Sequence, residues 1–190
     1  MPKLLFLAGS ARKASLNKRL AQCAANIATE KGASVTFLDL ADYNMPLYCQ
    51  DIEQKNGIPN NVIAVKKMFQ DHDGIFIASP EFNSSFTPLL KNTLDWISRP
   101  HEMNEARLSA YKNKIFALAA LSPGALGGIR GLTPLRMMLI TLGCHVIPTQ
   151  IAVGGQNTLN DDNNLTNDMH IKLMDELVVE LIHVTKSLHA

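Results

Sequence analysis

Cysteine is scarce in this chain. There are three in 190 residues, Cys23, Cys49 and Cys144, odd in number and far apart. No C-x-x-C pair occurs, which argues against a disulfide framework, a zinc ribbon or a cysteine-held iron–sulfur cluster. A reducing cytoplasm is the expected compartment. Charge is also low, at 18% of residues, and 18 Lys+Arg against 17 Asp+Glu leave a net +1. Nothing global therefore draws the chain to nucleic acid or to an acidic membrane surface. No apolar run approaches the roughly 18 residues of a membrane span. The apolar stretch Leu4 to Ala8 is too short for a secretory leader and reads as a buried strand.

Several chemical signatures are missing as well. G-x-x-x-x-G-K-[ST] and G-x-G-x-x-G are absent, so this is neither a Walker nucleotide site nor a dinucleotide fingerprint. There is no G-x-S-x-G elbow for a serine nucleophile. The six histidines show neither H-x-x-x-H nor H-E-x-x-H spacing, so no metal site is expected and they read as surface or helix-end residues. The eight methionines read as core filler. Lys66-Lys67 and Lys112/Lys114 read as solvated faces, and Trp96 as core or interface.

What is present is a 46% apolar composition in a regular order. Buried runs at 3–8, 34–40, 74–79, 114–121 and 145–153 predict five strands. Helical spacing follows Leu16, Leu20, Cys23, Ala24 and Ile27, with Gly32 as the stop. Further helices are predicted at 62–70, 87–98, 129–142 and 167–188, the last turning Ile171, Met174, Val178, Leu181 and Ile182 inward. The stretch 41–61, rich in Asn, Asp, Pro and Gln, predicts irregular chain. Alternating strands and helices with no break in composition predict a single α/β domain over residues 1–190, with a parallel sheet covered on both faces. Ligands of such sheets sit beyond the carboxyl ends of the strands.

Three loops meet that edge. Gly9-Ser-Ala-Arg-Lys-Ala-Ser-Leu-Asn17 follows the first strand and feeds a helix. A helix start with Ser10, Ser15, Asn17 and Arg12 suits a phosphate, and an ordinary cap by Ser15 is the alternative. Ser79-Pro-Glu-Phe-Asn-Ser-Ser85 follows the third strand, either as a wall for a planar ring or as a tight turn with Phe82 in the core. Ser122-Pro-Gly-Ala-Leu-Gly-Gly128 follows the fourth, and its glycines permit close backbone approach. Asp39, at the end of the second strand, reads as a strand-end cap.

These loops carry a resemblance. The first is similar to the G-S-x-R-x-x-S-x-N phosphate loop of the NADPH-dependent FMN reductase family, which includes quinone, chromate and azo-dye reductases. The segment Ser79 to Trp96 resembles its S-P-E-Y-N…L-K-N…D-W signature, with Phe82 where tyrosine is commonest. The segment Ser122 to Gly128, followed by Leu135-Arg136 and Leu142-Gly143, is similar to the third signature. The likeness runs over about residues 3 to 150.

The resemblance implies a flavodoxin-like fold of strand order 2-1-3-4-5 and bound FMN. It implies that Ser10, Arg12, Ser15 and Asn17 hold the phosphate. Pro80, Glu81, Phe82 and Asn83 would line the isoalloxazine edge, largely through backbone, and Ser122, Gly124, Gly127 and Gly128 would close its other side. Hydride would pass from NADPH or NADH to the flavin, and then to a small quinone-, azo- or metal-oxyanion-type acceptor, with ping-pong kinetics. No catalytic side chain is needed, because the flavin carries the chemistry. A homodimer or homotetramer is implied. A flavodoxin-type electron carrier or a flavin-binding regulatory module remains as the alternative.

Overall fold

The computed structural model describes residues 1–188; His189, expected at a helix end or surface, lies outside them. Its five strands are β1 (Lys3–Ala8), β2 (Ser34–Leu38), β3 (Gly74–Ala78), β4 (Ile115–Ser122) and β5 (His145–Gly154). They form one parallel sheet in the order β2-β1-β3-β4-β5. The helices are α1 (Leu16–Glu30), α2 (Gln50–Asn56), α3 (Asn60–Asp71), α4 (Pro88–Ile97), α5 (Ile129–Thr141) and α6 (Asp168–Leu188). The expected flavodoxin-like arrangement is therefore present.

The sheet needs two cores because its central strands are apolar on both faces. Successive residues of a strand point to opposite sides. Leu4 and Phe6 pack with Leu20, Ala24, Phe76 and Leu181, beneath α1 and α6. Leu5 and Leu7 pack with Val65, Phe69, Leu94, Trp96 and Leu135, beneath α3, α4 and α5. Phe6 stacks on Phe76 with centroids 5.4 Å apart. Trp96 is fully buried, and its indole N–H donates to the Pro46 carbonyl at 2.7 Å, so it belongs to the core.

β5 is a sheet edge, which is why it tolerates Pro148. The register slips between Phe116 and Leu118 of β4, opposite that proline. Arg136 of α5 donates to the Ile147 carbonyl there at 2.8 Å and to the Gln150 side-chain Oε1 at 2.9 Å.

Several expectations are corrected. β2 stops at Leu38, because Asp39 caps a short 3-10 turn (Leu40–Asp42) by accepting from Ala41 N–H at 2.9 Å. The stretch 41–61 contains α2, an exposed helix with no buried residue and hence no apolar stripe to reveal it. Ile171 is exposed, unlike its four companions on α6. Of the methionines only Met174 is fully buried; Met103, Met137 and Met169 are largely exposed. Lys66 and Lys114 are not solvated. Lys66 is 1% exposed and paired with Glu105, while Lys114 donates to Gln70 O at 2.7 Å and His72 O at 2.6 Å. His72 is buried too, between Met68 O and the Thr36 hydroxyl. Each of these polar tips reaches a carbonyl, hydroxyl or carboxylate, and that allows its burial.

Candidate flavin site

The winding reverses between β1 and β3: the chain leaves β1 toward β2 on one side and returns to β3 on the other. A crevice must open at the carboxyl ends of those two strands. A cleft of about 790 Å³ lies there, lined among others by Ser10, Arg12, Asn17, Phe82, Leu89 and Ser122. That volume is in the range of small-molecule and cofactor sites.

One end of the cleft is the start of α1. Ser15 is its N-cap, with extended backbone and a hydroxyl accepting from Lys18 N–H at 3.4 Å. The helix begins at Leu16, so the Leu16 and Asn17 N–H groups precede its first acceptor. Among the described residues neither finds a partner. The Arg12 guanidinium, exposed at the rim, also makes no ion pair or side-chain hydrogen bond among them. Ser10 is buried, and its oxygen accepts from Arg12 N–H at 3.4 Å. Spare N–H donors and a free guanidinium at a positive helix end form an anion cradle.

Asn17 differs from the rest of this group. Its carboxamide donates to Leu121 O and accepts from Leu121 N–H, both at 2.9 Å and buried. It pins α1 to the end of β4 and keeps one amide hydrogen as its remaining donor for a phosphate. Asn17→Ala is expected to lower stability by about 2 kcal/mol, because two backbone groups of Leu121 lose their partners. Urea unfolding checks this, and an unchanged midpoint would remove the pin.

The second loop is a two-residue hairpin. Phe82 and Ser85 exchange both backbone hydrogen bonds, at 2.8 and 3.1 Å. Asn83 (φ 50°) and Ser84 (φ 65°) are both left-handed, as a type I′ turn requires, and asparagine tolerates that region well. The turn pushes Phe82 outward. It is 55% exposed on the cleft wall, not in the core as a tight turn had suggested. Thr87 ties this loop to the first one. It caps α4 by accepting from Leu90 N–H at 3.2 Å and donates to Gly9 O at 2.6 Å.

The third loop packs on β5. Gly127 (φ +61°) lies so close that a Cβ there would stand 2.7 Å from the Val153 carbonyl carbon. Gly128 (φ +90°) precedes α5 and would bring a Cβ to 3.0 Å from that of Ala120. Both glycines are thus required by loop packing. Gly124 meets no such limit: a Cβ there would have only the Ser122 hydroxyl near it, at 3.6 Å. Ser122, Gly124, Gly127 and Gly128 line a side cleft of about 420 Å³ together with Glu81, Asn83 and Arg130. Glu81 and Ser122 border both clefts.

All twelve residues expected at the site therefore lie at one sheet edge. Thr87, Leu89, Pro123 and Arg130 also line it and were not anticipated. Only the Thr87-Pro88 helix start was visible in sequence, without its reach to Gly9. Among the described residues no cluster of metal-ligating side chains occurs. Burial pushes the Cys23 and Cys144 thiols up, Cys144 to about 12, so neither is poised for thiolate chemistry.

The donor set fits FMN: an anion cradle at one end, an apolar wall of Phe82, Leu89 and Pro123 in the middle, and backbone loops at the far edge. The family model for NADPH-dependent FMN reductase matches residues 2–158. A 2-hydroxy-1,4-benzoquinone reductase of a Burkholderia species is 37% identical over 125 residues, 66% of this chain and 63% of that enzyme's length. The quinone reductase of Escherichia coli K12 is 32% identical over 153 residues, 80% of this chain and 77% of its own. A flavoenzyme NAD(P)H:(acceptor) oxidoreductase from Paracoccus denitrificans superposes with a TM-score of 0.82 over 98% of both chains, at 23% identity, which speaks to the fold. The chain belongs to the NADPH-dependent FMN reductase family and is an FMN-dependent oxidoreductase that draws its electrons from NAD(P)H.

Proposed function

We propose that this enzyme reduces quinone-type acceptors, with azo compounds and metal oxyanions as further candidates for the same open site. The observation that carries the reading is the cleft at the β1/β3 switch point, with its anion cradle and its half-exposed Phe82. The quinone reductases among its relatives support the acceptor class. No relative among them favours a carrier or a regulatory module.

When bound, FMN would supply the redox chemistry between nicotinamide and acceptor. The chain's own residues bind and orient. Arg12, Ser10, Ser15 and the first N–H groups of α1 hold the phosphate, and Asn17 keeps that helix start in place through Leu121. Pro80, Glu81, Phe82 and Asn83 line the ring edge by backbone, and the Phe82 ring shields it from water. Ser122, Gly124, Gly127 and Gly128 close the opposite side. Ping-pong kinetics are expected, since the one cleft would have to admit nicotinamide and acceptor in turn.

In this reading the whole chain acts as one FMN-binding domain, in the cytoplasm, as a homodimer or homotetramer. Among the described residues no helix is long and apolar enough to cross a membrane. Ile129, Met137 and Ile140 leave an apolar stripe on α5 for a partner to cover.

The direct test is a visible spectrum of the purified protein, then anaerobic NADPH, then benzoquinone. A yellow protein that bleaches and recolours carries the proposal; one that bleaches but is not reoxidised by any quinone defeats the acceptor class. Arg12→Ala is expected to weaken FMN binding about tenfold, by loss of one charge-assisted contact, with no change in the thermal midpoint of the flavin-free protein. Unchanged flavin occupancy after dialysis would take Arg12 out of the phosphate site.

A further inference from the structure

Glu81 borders both clefts, yet its carboxylate is spent away from them. The side chain is 9% exposed. Oε2 accepts from the backbone N–H groups of Arg130 at 3.0 Å and Gly131 at 3.3 Å. Oε1 accepts from Arg130 Nε at 2.8 Å and stands 2.7 Å from Nη2. Arg130 and Gly131 form the first turn of α5, whose N-cap is Gly128 and so has no side chain to cap with. Glu81 supplies that cap from another loop, and a carboxylate is the favoured group at a helix start.

A second observation lies beside it. The same helix start touches the 81–85 turn without intervening side chains. A Cβ on Gly131 would stand 3.0 Å from Ser85 O and 3.4 Å from Glu81 Cα, and one on Gly128 would stand 3.6 Å from Glu81 Cβ. The backbone of the turn therefore lies against the backbone of residues 128–131, and the Glu81 carboxylate clamps the two. The turn carries Phe82 and Asn83, and residues 124–128 form the facing wall.

We infer that Glu81 is a positioning residue for the flavin: through Arg130 and the start of α5 it locks the Phe82–Asn83 turn to the glycine loop and so fixes the spacing of the two walls. This rests on the FMN reading above. Its role is distinct from backbone contact with the ring, because the carboxylate acts on α5 and not on the ligand. The Arg130 guanidinium balances the charge of this nearly buried carboxylate.

The test compares the wild type with Glu81→Ala, Glu81→Gln and Arg130→Met. In flavin-free protein, hydrogen exchange at 82–85 and at 129–131 is expected to quicken together in Glu81→Ala. With FMN added, its dissociation constant is expected to rise roughly tenfold, because the two walls no longer hold their spacing. The visible circular dichroism of the bound flavin and its midpoint potential are expected to change as well. Glu81→Gln keeps an oxygen for the two backbone donors and falls between. Arg130→Met removes only the side-chain half of the clamp and is milder than Glu81→Ala. If Glu81→Ala does not fold, Glu81→Gln carries the same comparison. Wild-type affinity, dichroism and potential in the Glu81 variants would overturn the role, as would quickened exchange in one segment alone. A wild-type protein that takes up no FMN would overturn the functional reading and this role with it, whereas flavin-bound wild type beside unchanged variants would overturn the role only.

Discussion

Alanine at Gly127 is expected to cost roughly 2–5 kcal/mol of stability and to weaken FMN uptake in whatever protein still folds. Two effects add. The residue sits at φ +61°, where a side chain is itself unfavourable. Its Cβ would also stand 2.7 Å from Val153 C, 2.8 Å from Ala152 C and 2.8 Å from Gly154 N. All three are backbone atoms of β5, held in the ladder with β4, so no rotamer change relieves the clash. The loop must lift away from the sheet, taking Ser122 to Gly128 off the cleft. Urea unfolding reads the first effect and flavin titration the second. Unchanged values in both would show that the close approach is not needed. Gly124→Ala is the control: its Cβ would meet only the Ser122 hydroxyl, at 3.6 Å, and little change in stability is expected.

The second large effect is expected at Lys66→Met. Lys66 reaches from α3 to Glu105 in the connection between α4 and β4, and it also donates to Arg99 O at 2.5 Å. Its side chain is 1% exposed and that of Glu105 7%. Removing the ammonium takes from a buried carboxylate its one lysine partner, which costs about 3–5 kcal/mol. The pH dependence follows from Glu105. Burial pushes its carboxyl up, but hydrogen bonds from Lys66, Ser109 and the His101 N–H outweigh that and hold it at about 2. A folded-state value below the unfolded one of about 4.3 stabilises the protein above that unfolded value. The contribution is lost as pH falls from the unfolded value through about 2. In Lys66→Met the upward push of burial, the hydrogen bonds from Ser109 and the His101 N–H, and the His101 ring with Nδ1 2.9 Å from Oε2 remain, so the variant's deficit is expected to shrink on acidification. Denaturation at pH 7 and pH 4 measures both. A deficit that is the same at the two values would mean that Glu105 is not the group left stranded.

Much of the fold was legible before any coordinates, for a physical reason. A parallel sheet covered on both faces needs near-continuous apolar strands, and β1, β3 and β4 are buried along almost their whole length. Such runs are visible without knowing what packs on them. Amphipathic α1 and α4 were equally plain, because Leu20, Ala24, Leu90 and Leu94 repeat at helical spacing and are fully buried. Elements with no buried face gave no such signal. α2 buries no residue, and the 3-10 turn after β2 depends on one aspartate bonding its own backbone.

The buried lysines show a second limit. In sequence a lysine defaults to solvent, since burying its charge alone is costly. Lys66 and Lys114 escape that cost only through groups far along the chain, Glu105 and the carbonyls of Gln70 and His72. The exposed methionines show the converse: Met103, Met137 and Met169 are apolar, yet no neighbouring element covers them.

At the site, the residue types in the three loops suited a ligand with a phosphate and a flat ring, and the family resemblance they carry implied FMN: small hydroxyls and an arginine at a helix start, an aromatic in a turn, glycines for close approach. The order of strands and helices placed those loops at one sheet edge, because right-handed crossovers leave a single crevice. Only the tertiary structure decided what each side chain does there. Asn17 turns to Leu121, Phe82 stands out on the wall, and Glu81 turns from the cleft to α5. Those choices depend on distances between segments remote in sequence, to which local pattern is blind.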